Sequence, residues 1–141
     1  MNTIKKIYLR NAEIINYLIV GILTTCVSLG TYYLCISTFL NAQIPIELQI
    51  ANIISWLCSV LFAFFANRIF VFKSKNKNQW RELLLFFNSR IFTLFIDMFL
   101  MIVLVTIFSL NDKISKLIVQ IIVIILNYIL SKKMVFKKNQ R

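Results

Sequence analysis

Residues 48–67 read LQIANIISWLCSVLFAFFAN, twenty consecutive residues without a charge. A helix rises about 1.5 Å per residue, so this run spans about 30 Å, the thickness of the hydrocarbon core of a bilayer. Upstream, no charge occurs from Ile14 to Ile46. Downstream, the block Leu83 to Leu110 carries only two charges, Arg90 and Asp97, and Ile114 to Ser131 carries only Lys116 near its start. The four blocks predict an all-α polytopic membrane protein with transmembrane helices at roughly 14–40, 48–67, 83–109 and 114–131. The first exceeds one straight crossing and is expected to tilt or to spill past the surface. It is also too long for a signal peptide, and no small-residue cleavage site follows it.

Composition agrees with this reading. Of 141 residues, 60% are hydrophobic and 15% charged, with a mean hydropathy of +0.80; soluble domains are about 45–50% apolar and about 25% charged. A small soluble domain is thereby excluded. The charges are mostly basic, 16 Lys+Arg against 5 Asp+Glu for a net +11, a balance that in a soluble chain would suggest nucleic acid. Their positions say otherwise. Lys5, Lys6 and Arg10 precede the first span, Arg68, Lys73, Lys75, Lys77 and Arg81 lie between the second and third, and Lys132, Lys133, Lys137, Lys138 and Arg141 follow the fourth. All three segments fall on one side of a four-span chain, and the other side holds only Lys113 and Lys116. The positive-inside rule therefore predicts that both termini and the middle loop are cytoplasmic. Juxtamembrane basic residues are expected to partner anionic lipid head groups rather than nucleic acid.

Soluble-type catalytic sites find no support. The chain has no His, two Gly and five scattered carboxylates, so imidazole metal sites, Gly-rich phosphate loops and paired-acid sites are absent. Neither an enzymatic activity nor a cofactor is expected. Cys26, Cys35 and Cys58 all fall inside apolar runs, where a free thiol packs as a small hydrophobe.

An internal repeat organises the rest. The second span ends Asn67-Arg68-Ile69-Phe70-Val71-Phe72-Lys73, and the fourth ends Ser131-Lys132-Lys133-Met134-Val135-Phe136-Lys137, at an offset of 64 residues. Order and composition both match. The chain thus reads as two parallel two-helix repeats, about 14–73 and 83–137, related by an axis along the membrane normal.

Four stretches together resemble the GtrA-like family: Asn16-Tyr17-Leu18-Ile19-Val20-Gly21, then Ala63-Phe64-Phe65-Ala66-Asn67-Arg68-Ile69-Phe70-Val71-Phe72, the Phe86/Arg90/Asp97 helix, and Asn127 to Phe136. The resemblance covers about residues 14–138, between a basic cytoplasmic N-terminus at 1–13 and a short cytoplasmic tail at 139–141, and is closest to Gram-positive members associated with teichoic acid glycosylation. It implies a multi-pass protein of the bacterial cytoplasmic membrane that moves a polyprenyl-phosphate-linked sugar to the outer leaflet. It also implies a motif around the site made of Ala63, Arg68, Val71, Phe72, Phe86, Val135 and Phe136. The second repeat departs from the pattern by having Ser131 where the first has Asn67.

Physical chemistry selects candidates within that frame. A phosphodiester in a region of low dielectric needs cations and amides. Arg90, seven residues past Leu83 and so about 10 Å along the helix, either binds phosphate bidentately or snorkels to the head groups as an anchor. Asp97, on the same face seven residues on, is a proton-coupling carboxylate, a sugar-hydroxyl acceptor, or a structural acceptor for Ser or Thr on the first helix. Asn67 and Asn127 lie near the cytoplasmic ends of their helices and, with Arg90, are expected to line one pocket; amides also glue helices together. Lys116 either snorkels at the far side or receives the phosphate there.

Small residues recur every four positions in the second span, at Ala51, Ser55, Ser59, Ala63 and Asn67, and predict close helix packing. Gly21, Thr24, Ser28 and Thr31 are expected to face them. So tight a bundle leaves little room for a sugar lipid, which favours a homo-oligomer or a groove open to lipid. Two other readings remain beside the flippase: an accessory subunit holding a membrane glycosyltransferase, and a small proton-coupled exporter, which needs a carboxylate in mid-helix 1 where this chain has none.

Overall fold

The computed structural model describes residues 2–136. The end of the second repeat at 137, the tail 139–141 and the basic residues Lys137, Lys138 and Arg141 lie outside the described residues. Four helices make up the chain: α1 Thr3–Thr38, α2 Pro45–Ala66, α3 Gln79–Ile102 and α4 Asp112–Leu130. The last three continue through π turns at Asn67–Val71, Val103–Ile107 and Ser131–Val135. With those turns included, all four are long and apolar enough to cross a membrane, and the described residues contain no strand. The chain is an all-α, four-span membrane protein, as the charge-free runs predicted.

Local chemistry sets the helix starts. Pro45 opens α2 at a position whose N–H has no helical partner, and Glu47 sits in its first turn, where a negative charge favours the helix dipole. Asn78 caps α3 by accepting from the Arg81 N–H at 3.1 Å, and Asn111 caps α4 by accepting from the Lys113 N–H at 2.9 Å. These caps place α3 and α4 slightly upstream of the expected starts. α1 differs more, beginning at Thr3 rather than 14. Its basic first turns are built from adequate helix formers, and the helix is kinked at Asn11, whose φ of −117° and ψ of 20° are non-helical.

The chain divides after Ser74 into two units, each a helical hairpin. In the first, α2 buries Ala51, Ser55, Ser59, Ala63 and Asn67, the predicted small-residue ladder. α1 buries Tyr17, Val20 and Cys35, with Thr24, Ser28 and Thr31 half-buried. Gly21, expected on this face, is instead exposed, and a Cβ there would meet nothing within 4 Å; Val20 and Thr24 take the buried side because the face advances by three and four residues. The hydroxyls satisfy themselves within their own helices, as in Thr24 Oγ1 to the Val20 carbonyl at 2.7 Å and Ser59 Oγ to the Trp56 carbonyl at 2.8 Å. In the second unit α3 buries Glu82, Phe86 and Thr93, while α4 and its π turn bury Ser115, Val119, Asn127, Ser131 and Val135.

The π turns explain the Val-Phe endings. The Phe72 N–H donates to the Asn67 carbonyl at 2.9 Å and the Phe136 N–H to the Ser131 carbonyl at 2.8 Å, each five residues back. In an α-helix, positions i and i+5 are about 140° apart; widening to about 4.4 residues per turn brings i+4 and i+5 to either side of i. Asn67, Val71 and Phe72 are accordingly all buried, as are Ser131, Val135 and Phe136. Phe72 packs against Tyr17 with centroids 6.4 Å apart, and Phe136 against Phe86 at 6.1 Å.

These ring pairs extend the repeat to the first helix of each unit, but at an offset of 69 rather than 64 residues, the difference being absorbed between the helices. Tyr17 corresponds to Phe86, and Glu13, one turn earlier, to Glu82. In the same registers Arg90 corresponds to Gly21, Asp97 to Ser28, Lys116 to Asn52 and Asn127 to Ala63.

Candidate functional site

The polar side chains gather in the second unit. Glu82, Phe86, Arg90, Thr93 and Asp97 follow one another at four, four, three and four residues, which aligns them on one face of α3. Phe86 is fully buried; its ring packs against that of Phe136, and the Arg90 Cζ lies 4.7 Å from its centroid. A cation over a ring face is attracted by the aromatic quadrupole, so Phe86 holds the guanidinium without using any of its N–H donors. The Arg90 fork is not neutralised by a carboxylate among the described residues.

One turn on, buried Thr93 links the two helices of the hairpin. Its Oγ1 donates to Asn127 Oδ1 at 2.8 Å and also lies 3.1 Å from the Arg90 carbonyl. One hydroxyl proton serves only one acceptor at a time. Turned about, the Asn127 amide donates through Nδ2 to Oγ1 and frees that proton for the Arg90 carbonyl. Either way Asn127 is committed to the α3–α4 contact, and it fixes the backbone from which Arg90 projects.

Further along α3, Asp97 receives Lys116 Nζ on both carboxylate oxygens, at 2.9 and 2.8 Å. The ammonium of Lys116, itself half exposed, thus has a carboxylate partner on the other helix of its hairpin, a pairing that neither residue's expectation included. The pair is a neutral strut between α3 and α4. Next to Lys116 in sequence, the Ser115 hydroxyl is fully buried and has no hydrogen-bond partner among the described residues.

Asn67 belongs to the first unit, where it is almost fully buried at the head of its π turn, and its Oδ1 has no hydrogen-bond partner among the described residues. Leaving a buried acceptor unsatisfied costs about 1–3 kcal/mol. Of the motif residues, Ala63, Val71, Phe72, Phe86, Val135 and Phe136 are buried and Arg68 is half-buried. Sequence reasoning missed three participants. Thr93 is signalled by its place one turn past Arg90, and Glu82, buried and with an interaction partner, by its place one turn before Phe86. Ser115 carried no signal.

Residues 16–136 match the GtrA/DPMS transmembrane domain. The chain is 39% identical over 128 residues to the cell wall teichoic acid glycosylation protein GtcA of Listeria monocytogenes serovar 1/2a, which covers 89% of this chain and 85% of the relative. GtcA of Listeria innocua serovar 6a matches to the same extent. The uncharacterized membrane protein YwcD of Bacillus subtilis is 32% identical over 127 residues, 88% of this chain and 96% of the relative. No solved structure matches. With the family's transmembrane domain matched over all four spans and relatives aligned across nearly their whole length, this chain belongs to the GtrA/DPMS transmembrane domain family.

Proposed function

We propose that the chain moves a polyprenyl-phosphate-linked sugar from the cytoplasmic to the outer leaflet of a bacterial cytoplasmic membrane, supplying glycosylation of wall teichoic acid or a related surface polysaccharide. The observation that carries this reading is Arg90: a guanidinium set inside an apolar helix, steadied by the Phe86 ring and not neutralised by any carboxylate among the described residues. Such a cation is costly in a membrane unless an anion visits it, and its fork suits phosphate. Asn127 positions it through Thr93. Asp97 and Lys116 act as a strut rather than as proton carrier and second phosphate site. Both termini face the cytoplasm, the basic juxtamembrane segments meet anionic lipid, and a second copy of the chain completes a groove for the polyprenyl tail.

The test is reconstitution of the purified chain alone into vesicles carrying a polyprenyl-phosphate sugar on one leaflet. Acceleration of flipping, lost in Arg90→Gln, is expected. An inert chain that nonetheless retains a glycosyltransferase at the membrane would replace this proposal with the accessory-subunit reading, with which the GtcA relatives' naming as teichoic acid glycosylation proteins agrees equally.

A further inference from the structure

We propose that residues 3–10 form a membrane-surface anchor that recognises anionic lipid, hinged to the first span at Asn11. The length of α1 requires something of this kind. Its 36 residues extend about 54 Å, against about 30 Å of hydrocarbon, and the run from Ile14 to Thr38 by itself fills the core. Residues 3–10 therefore lie beyond it. They are helical, yet every one is exposed, including Ile4 at 81% and Ile7 at 55%.

The segment is two-sided. At about 100° per residue, Ile4, Ile7 and Tyr8 fall within an arc of about 100°, while Lys5, Lys6 and Arg10 lie outside it and only Leu9 breaks the division. No acidic residue occurs before Glu13. An apolar strip flanked by cations and free of anions is complementary to a leaflet whose head groups carry negative charge, and it lies in the interface plane when its axis can turn. Asn11 supplies the turn through its non-helical φ and ψ. Across that break, the Tyr8 hydroxyl donates to Asn16 Oδ1 at 3.2 Å, tying the anchor to the span two turns away. The inference is independent of what the protein transports and of which side its termini face.

The test uses the full chain with Cys26, Cys35 and Cys58 replaced by Ala and a single fluorophore-bearing Cys at position 4, 6 or 7, reconstituted in vesicles of phosphatidylcholine with or without phosphatidylglycerol. With the anionic lipid present, labels at 4 and 7 should be quenched by lipid-borne nitroxide and protected from aqueous quencher, and the label at 6 the reverse. Each basic residue near an anionic surface favours binding about fivefold, so the triple variant Lys5→Gln/Lys6→Gln/Arg10→Gln should lower the inserted-to-lifted ratio on the order of a hundredfold. Equal aqueous access at all three positions would overturn the proposal. So would protection that ignores lipid charge, or protection that disappears when the protein is diluted in lipid, which would mark the strip as a contact between copies.

Discussion

The Asp97–Lys116 strut makes a quantitative and asymmetric prediction. Asp97 lies fourteen residues past Leu83 and ten before Ile107, about 21 Å and about 15 Å from those points, so it sits well inside the membrane. Lys116 is four residues into α4, about 6 Å from its end. The exposures point the same way, with the Lys116 side chain 51% exposed and that of Asp97 only 20%. Lys116→Gln strands a carboxylate that cannot reach water and should cost about 3 kcal/mol of stability. Asp97→Asn strands an ammonium that can snorkel to its own helix end and should cost about 1 kcal/mol. With both charges removed, the double variant should return to within about 1 kcal/mol of the parent. Reversible unfolding in lipid bicelles, followed through Trp56 and Trp80 fluorescence, measures all four proteins. Additive single costs, or a larger loss for Asp97→Asn than for Lys116→Gln, would refute the strut.

Arg90→Lys keeps the charge but not the planar fork, and should abolish most glycosylation at unchanged protein level, read by sugar analysis of isolated cell walls. A single Cys at Asn41 should react with an impermeant reagent in intact cells, and one at Asn76 should not; the opposite pattern would invert the topology. Ser109 has a φ of 53°, a left-handed conformation that favours glycine, so Ser109→Gly should raise unfolding stability by about 1 kcal/mol. Gly21→Ala enters open space and should leave stability unchanged or raise it by up to about 1 kcal/mol through helix propensity.

The spans were legible because hydrocarbon tolerates almost no charge, and residues 14–46 and 48–67 contain none, with the single Glu47 separating them. The start of α1 was not, since the basic segment at 3–10 reads equally well as a loop or as a surface helix. Within the site, Arg90 stood out as a charge in an apolar run, but its seat on Phe86 depends on the i−4 geometry of a real helix. The partner of Asp97 was hidden because Lys116 is nineteen residues away and nearer its helix end, so depth alone sent the two to different levels. The register of the first helices was hidden too: the ring pairs show Tyr17 standing where the second repeat has Phe86, at an offset that the Val-Phe endings do not share.

The π turns make each Val-Phe ending of this chain a matter of spacing. Between the buried polar head and the buried Val-Phe pair stand three residues, Arg68-Ile69-Phe70 in one repeat and Lys132-Lys133-Met134 in the other, all half-buried or exposed and chemically unlike. Substitution in these spacers leaves the burial pattern intact. Losing or gaining one residue would rotate Phe72 or Phe136 away from its ring partner. The motif is thus written in distances more than in letters.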